Sequence, residues 1–223
     1  MKINKLTVYT SNIEGQLRLY RNQLDFQVRN QSEDSFELEI GYSILRFEQK
    51  LNCTPYHIAF HISDRQEEEA VAWLKGKRAI QQFNGEDIVD FSNWQARSVY
   101  FYDEGQNIME LISRRDFSKP KSAIFSASNI VGIAEIGLAT NNVQQKFEKM
   151  KLECGLNQFD GDLERFCAVG EDAGLIITIN KNEKDWFPTE DKAYASSFQL
   201  EFEHESKHYK MDFSNDVLEI SEI

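Results

Sequence analysis

Apolar and polar residues follow two periods along the first part of the chain. Residues 5–10 alternate between apolar and polar side chains, which is typical of a half-buried strand. Apolar residues recur at helical spacing between positions 17 and 24, and two further strand-like runs, 36–40 and 43–47, are joined by a Gly-Tyr turn. Residues 26–28 leave room for one more strand. This part of the chain is therefore predicted to have the order βαβββ.

The same order of elements is predicted again further along the chain. A second copy and a third copy each begin with a strand and continue with a helix and more strands. The predicted elements are strands 56–62, 96–102 and 108–113 with helix 64–77, and strands 133–140, 165–169 and 175–180 with a helix that ends within 150–155. A last stretch contains three strands, 198–203, 208–213 and 217–221, with no helix between the first two. The fourth copy is thus predicted to have lost its helix.

Sequence similarity between segments supports this repeat. Lys5–Ile13 returns as Glu135–Val143, and Pro55–His61 begins in a similar way. A repeat of this kind indicates a repeated supersecondary unit. Residues 116–129 are rich in Ser, Ala and Lys and contain a proline, so they are predicted to link two domains. The first domain, 1–115, is predicted to be complete, and the second, 130–223, to be abbreviated.

The charge of the chain excludes some classes of partner. The 223 residues carry a formal net charge of -12, whereas phosphate backbones and anionic membrane surfaces attract clustered Lys and Arg. The basic groups Arg114-Arg115 and Lys119-Pro120-Lys121 are too small to reverse this balance. We therefore expect neither nucleic acid nor a membrane as a partner.

The same features indicate a cytoplasmic protein. No apolar run approaches the roughly 18 residues that a membrane helix needs, and the first residues do not have the pattern of a signal peptide. The three cysteines, Cys53, Cys154 and Cys167, have no metal-binding or redox spacing, so we expect buried free thiols in a reducing compartment.

Two motifs carry a resemblance to a known superfamily. His-Ile-Ala-Phe at 57–60 matches an opening of the form His-(aliphatic)-Ala-Phe, and Asp-Glu-Gly-Gln-Asn-Ile-Met-Glu-Leu at 103–111 follows Asp-Pro-x-Gly-Asn-x-x-Glu-Leu. Residues 6–12 and 19–26 correspond more loosely to the preceding copy of the unit. In these motifs the chain resembles the vicinal oxygen chelate superfamily, which includes glyoxalase I, extradiol dioxygenases and the fosfomycin and bleomycin resistance proteins. The resemblance covers 1–115 well and 130–223 weakly.

The resemblance implies an α+β fold in which paired βαβββ modules form curled, cup-like mixed sheets. It also implies metal ligands on the first and last strands of the modules. Carried over by position, these are Lys5, His57 and Glu110. A protonated Lys has no lone pair for a cation, so Lys5 departs from the His or Gln of typical members.

Two interpretations of this departure remain open. In one, Glu48 or Arg46 lies near a further ligand position, and Glu48, His57 and Glu110 hold a divalent Zn, Mn or Fe ion. In the other, which the sequence favours, no metal is bound and Lys5 neutralises Glu110 in place of the ion. His57 would then be a hydrogen-bonding residue of the cup, or a base beside Lys5 as an electrostatic stabiliser.

Other residues complete the predicted site. His61 follows His57 by four positions and would face the same side of a strand, and Trp94 could cover the mouth of the cup. Together with Arg46 they are candidate contacts for a small molecule. In the second half, Glu135, Gln199 and Glu219 fall at ligand positions, but the short spacing of the last two favours a structural role there.

Two functions are consistent with these observations. The first is a metal-assisted lyase, isomerase or ring-cleaving dioxygenase, with His57 and Glu110 as central residues and Glu48 assisting them. The second is a metal-free protein that binds or sequesters a small organic molecule, which Lys5 favours. The predicted partner is a small molecule, and the chain is expected to be a monomer or a homodimer. The sequence does not identify the substrate.

Overall fold

A computed structural model describes all 223 residues as four successive modules of strands and helices. The first module contains β1 (Lys2–Thr10), α1 (Ile13–Arg18), which continues as a π-helical turn over Leu19–Gln23, β2 (Val28–Arg29), β3 (Ser35–Ile40) and β4 (Ser43–Gln49). The second contains β5 (His57–Ile62), α2 (Glu67–Leu74), β6 (Ile80–Gln81), β7 (Val89–Phe91), β8 (Ala96–Tyr102) and β9 (Ile108–Arg114). All the predicted strands and helices of both modules are present, and the second module contains two short strands, β6 and β7, that were not predicted.

The second half repeats this order once and then shortens it. The third module contains β10 (Gly132–Thr140), α3 (Val143–Cys154), β11 (Gln158–Gly161), β12 (Phe166–Glu171) and β13 (Gly174–Asn180). The fourth contains only β14 (Phe198–His204), β15 (Lys207–Ser214) and β16 (Val217–Glu222). The fourth module thus lacks a helix, as its sequence pattern predicted.

The repeated sequence segments form the same helix start twice. The side chain of Asn12 accepts a hydrogen bond from the amide of Gly15 at 3.1 Å, and that of Asn142 accepts one from Gln145 at 2.9 Å. Each asparagine satisfies one of the free amides in the first helical turn. Gly155, at the end of α3, has a φ of +74°, the left-handed conformation expected of a C-terminal glycine cap.

The strands form two mixed sheets, and each sheet joins modules from both ends of the chain. The first sheet has the order β16-β15-β14-β1-β4-β3-β2. The second has the order β11-β12-β13-β10-β5-β9-β8-β6, with β7 paired to β8. The first module therefore shares a sheet with the fourth, and the second module shares one with the third. The predicted α+β class with curled mixed sheets is confirmed.

Each sheet contains strands that precede and strands that follow segment 116–129, which was predicted to link two domains. The antiparallel contact of β1 with β14 and that of β5 with β10 each join strands from opposite sides of it. One apolar core of 46 buried residues also takes side chains from all four modules. The boundaries 1–115 and 130–223 follow the order of the modules along the chain, and their independence as folding units stays a prediction. None of the three helices is long and apolar enough to cross a bilayer.

Candidate functional site

One cavity of about 300 Å³ opens on the face of the second sheet, between strands of the second and third modules. Nine of its 13 lining residues are hydrophobic, and the other four are His57, Glu110, Glu135 and Lys184. The lining residues are His57, Phe91, Trp94, Tyr100, Glu110, Ile112, Glu135, Phe166, Ile177, Ile179, Lys184, Trp186 and Phe187. An apolar cavity with a few polar groups is the usual form of a small-molecule site.

Strand register brings three polar side chains over one small residue. Ala59 on β5 pairs with Glu110 on the parallel strand β9 and with Glu135 on the antiparallel strand β10. Paired residues point to the same face of a sheet, as do residues two apart on one strand, so His57 joins the same group. Because the methyl group of Ala59 is short, the side chains of Glu110 and Glu135 can converge above it from the two neighbouring strands.

His57 and Glu110 are in direct contact. Nε2 of His57 lies 2.8 Å from Oε2 of Glu110, and Oγ of Ser98 donates to the other carboxylate oxygen at 2.5 Å. Burial acts to lower the pKa of His57, but the hydrogen bond and negative charge of Glu110 outweigh it, so the pKa is raised. Protonation of this buried imidazole is therefore favoured by the carboxylate that it contacts.

Glu135 has a different partner, Arg114. Nη2 of Arg114 donates to Oε1 of Glu135 at 2.6 Å, and both side chains are buried. Burial, followed by the nearby charge of Glu110, raises the pKa of Glu135 to about 7, against the opposing effects of Arg114 and His57. The polar end of the cavity thus contains two carboxylates, each with its own cationic or basic partner.

Aromatic side chains form the roof and one wall of the cavity. The ring of Trp186, in the segment between β13 and β14, lies 5.2 Å from the ring of His57, centroid to centroid. Phe187 packs edge-on against Phe91 at 5.6 Å. Trp94 stacks on Phe166, with centroids 6.2 Å apart. The cavity is therefore enclosed mainly by flat apolar surfaces.

Wall and roof are also tied together by hydrogen bonds. The indole nitrogen of Trp94 donates to Asp160 on β11 at 2.6 Å, which links the second module to the third. The hydroxyl of Tyr102 donates to Asp191, which lies in the same segment between β13 and β14 as Trp186. These bonds hold the aromatic residues in place from both sides of the cavity.

The structure brings together only some of the residues predicted for the site. His57, Glu110 and Trp94 line the cavity. His61 is on the same strand as His57 but is fully buried, and its ring stacks on Phe117 at 4.3 Å instead of lining the cavity. Burial, and then the charge of Arg114, lowers the pKa of His61 to about 3.

Lys5, Arg46 and Glu48 lie elsewhere, on the first sheet. Nζ of Lys5 contacts Glu37 at 2.8 Å, and Nε of Arg46 contacts Glu48 at 2.7 Å. These residues are apart from His57 because β1 pairs with β4 and β14, and not with any strand of the second module. The predicted groups Lys5–His57–Glu110 and Glu48–His57–Glu110 are therefore not assembled.

Glu135 takes the position that was expected for Lys5. It is the residue that corresponds to Lys5 in the third module, and the repeat of Lys5–Ile13 at Glu135–Val143 was the signal that could have identified it. The possible ligand set of the second half, Glu135 with Gln199 and Glu219, is not assembled. Gln199 and Glu219 are on the first sheet, whereas Glu135 is on the second.

Arg114 was also missed, because the pair Arg114-Arg115 was interpreted as a minor basic patch. The two residues differ in burial: Arg114 is 2% exposed, whereas Arg115 is exposed to solvent. Arg114 is the last residue of β9, and its side chain lies on the same face as Glu110, four residues earlier. Strand alternation therefore turns one arginine of the pair into the protein interior.

The polar end of the cavity does not fit a divalent metal as it stands. Glu135 is engaged by the guanidinium of Arg114, and His57 and Glu110 are in contact with each other. The structure contains no group of three or more His, Cys, Asp or Glu side chains arranged to hold an ion. A fixed positive charge 2.6 Å from one of the three candidate ligands opposes a second cation at the same place.

Comparisons with known proteins identify the fold and no close relative. No family model and no curated protein matches the sequence. A solved structure from Bacillus subtilis, described as a dioxygenase, superposes with a TM-score of 0.61 at 9% identity, over 100% of this chain and 84% of its own. A mutant of glyoxalase I from Zea mays superposes with a TM-score of 0.60 at 9% identity, over 99% of this chain and 92% of its own. The chain therefore shares the fold of these two proteins, as the resemblance seen in its sequence implied.

Proposed function

We propose that the chain binds a small organic molecule, without a metal ion, in the cavity between its second and third modules. The observation that carries this proposal is the combination of an aromatic enclosure with the three polar side chains grouped above Ala59. Flat apolar walls favour a ligand with an apolar body, and the three polar side chains above Ala59 would fix the orientation of its polar group. The volume of about 300 Å³ suits a ligand of low molecular mass.

The ion pairs at the polar end support binding without a metal. Glu110 is paired with His57 and Glu135 with Arg114, so neither carboxylate requires a metal for charge balance. This replaces the expectation that Lys5 would neutralise the site, because Lys5 is committed to Glu37 on the other sheet. The electrostatic role expected of Lys5 would be filled by Arg114.

Tryptophan fluorescence provides a direct test. Trp94 and Trp186 line the cavity, whereas Trp73 packs against Phe26 and Phe125 outside it. Titration with a panel of small aromatic and aliphatic carbonyl compounds should quench emission from the first two and leave that of Trp73. Substituting Trp73 by Phe first would remove this background signal.

Variants connect any quenching to the cavity. Ile177→Trp would fill the apolar part and Glu135→Gln would remove a charge at the polar end, so both should weaken binding by about tenfold or more. Glu37→Gln is the matched control, because Glu37 is also a buried, ion-paired carboxylate, but on the first sheet. Binding that is insensitive to Ile177→Trp would contradict the proposal.

A second candidate function is a metal-independent enzyme. It is favoured by the raised pKa of Glu135, about 7, because a group that titrates near neutral pH can accept and return a proton. His57, which also lines the cavity, would be the second proton carrier. Product analysis by NMR after incubation of a bound compound separates the two candidates: unchanged compound supports binding alone, and conversion lost in Glu135→Gln supports catalysis.

A further inference from the structure

The side chain of Arg114 lies beside the polar group formed by His57, Glu110 and Glu135. It lies on β9, four residues after Glu110, and its guanidinium contacts Glu135 at 2.6 Å. The side chain is only 3% exposed. A guanidinium cannot be deprotonated in a protein, so the charge that it brings to this place is permanent.

The guanidinium is held in place by its surroundings. Its central carbon lies 5.6 Å from the ring centroid of Trp94 and 5.8 Å from that of Phe159. Its Nη1 is also 3.7 Å from a carboxylate oxygen of Asp172. Two aromatic faces and two carboxylates therefore surround one cation, and cation–π contacts of this kind are stronger when the groups are desolvated.

Two carboxylates that are buried close together need compensating positive charge. Glu110 and Glu135 both pair with Ala59, from the strands on either side of it, so the two carboxylates flank the same residue. Glu110 obtains its compensation from His57. Glu135 obtains its compensation from Arg114. Without Arg114, the three side chains above Ala59 would comprise two carboxylates and one imidazole, a donor set suited to Mn²⁺, Fe²⁺ or Zn²⁺.

We infer that Arg114 is a built-in substitute for a divalent cation and that it keeps this cavity free of metal. The inference deepens the proposed function, since it accounts for the metal-free character of the binding site. Its consequence is that removal of the guanidinium converts the polar end into a site for a transition metal, with His57, Glu110 and Glu135 as ligands. The loss of one fixed charge leaves the cluster with an uncompensated carboxylate. It also releases Glu135 from Arg114, so that its carboxylate is free to turn toward His57 and Glu110.

The test is metal binding by Arg114→Met, a substitution that retains length and removes charge. Dialysed wild-type and variant proteins are titrated with Zn²⁺ and Mn²⁺ by calorimetry, and metal retained after gel filtration is measured by mass spectrometry. We expect no stoichiometric binding by the wild type and about one ion per chain in the variant. Co²⁺ serves as a spectroscopic probe, because its visible bands report coordination by protein ligands.

Two controls assign the new site. Adding Glu135→Gln to Arg114→Met should abolish the gain in metal binding. Arg46→Met removes an arginine that pairs with a glutamate on the first sheet at 2.7 Å, and it should bind no metal. A gain in Arg46→Met equal to that in Arg114→Met would indicate a general effect of charge and would overturn the inference.

If Arg114→Met fails to fold, the paired change Arg114→Met with Glu135→His removes both charges together and retains a ligand at position 135. Either variant, once folded, should bind metal, and absence of binding in the folded variants would overturn the inference. Stoichiometric binding by the wild type, lost in His57→Gln, would overturn it as well. These measurements use no organic ligand, so a failure to find a small-molecule ligand contradicts only the proposed function.

Discussion

The indole of Trp186 rests directly on the backbone of Gly137. A Cβ at position 137 would lie 2.6 Å from Cη2 of this ring, closer than side chains pack in proteins. Gly137 pairs with Ile177 on β13, and both Ile177 and Trp186 line the cavity. A missing side chain in the middle of a strand thus makes room for the roof of the candidate site.

The first prediction concerns this contact. Gly137→Ala should displace Trp186 and destabilise the protein by about 1–3 kcal/mol, because the ring has to move out of a packed position. Tryptophan emission should shift to longer wavelength as the indole becomes more exposed. In a Trp186→Leu background the same substitution should lower the free energy of unfolding much less. Urea denaturation measures both effects, and an equal loss of stability in the two backgrounds would refute the contact.

The second prediction concerns pH. Glu135 has a pKa of about 7 in the folded protein, raised from 4.5, so the folded state binds more protons than the unfolded state between these values. Stability contributed by this group should therefore decrease as pH rises from 4.5 through about 7. Urea unfolding measured at several pH values should show this slope, and Glu135→Gln should reduce it.

Glu37→Gln is the control for the pH measurement. Burial acts to raise the pKa of Glu37, but hydrogen bonds from Lys5 and Asn30 and the charges of Lys5 and Arg46 lower it overall. The stability that Glu37 contributes is therefore present above its unfolded pKa and is lost only as pH falls below it. A slope near neutral pH that Glu37→Gln removes and Glu135→Gln does not would contradict the assignment.

The third prediction concerns the contact between His57 and Glu110. His57→Ala should destabilise the protein by about 3–5 kcal/mol, because it leaves the buried carboxylate of Glu110 without its partner. The double variant His57→Ala with Glu110→Gln should be more stable than His57→Ala alone, since it removes the uncompensated charge. A double-mutant cycle from chemical denaturation measures this coupling, and additive effects would show that the contact is not made.

The fourth prediction concerns Lys5. Because Lys5 pairs with Glu37 on the first sheet, Lys5→His should leave both metal binding and ligand binding at the cavity unchanged. Lys5→Met should cost at most about 1 kcal/mol, since Lys5 is 31% exposed and Glu37 retains Arg46 as a partner. Thermal unfolding measures the second effect, and metal binding gained by Lys5→His would place Lys5 at the site after all.

Local physical chemistry was sufficient to predict the modules, and the resemblance to a known superfamily supplied part of the site. The periods of the apolar residues and the repeat of Lys5–Ile13 at Glu135–Val143 predicted the order of elements, because both depend on interactions within a few residues. His57 and Glu110 came from the resemblance, and their contact needs only one module because its first and last strands, β5 and β9, are parallel neighbours. The sequence had instead favoured Lys5 as the partner of Glu110. The loss of a helix from the last module was equally visible in the sequence.

Tertiary structure alone decided which modules share a sheet. The strands of every module have hydrogen-bonding edges of the same kind, so periodicity does not distinguish a partner that is adjacent in sequence from a distant one. The antiparallel contact of β5 with β10 brought Glu135 to His57, and that of β1 with β14 left Lys5 on the other sheet. The burial of Arg114 depended on the same choice, because its partner Glu135 comes from the third module.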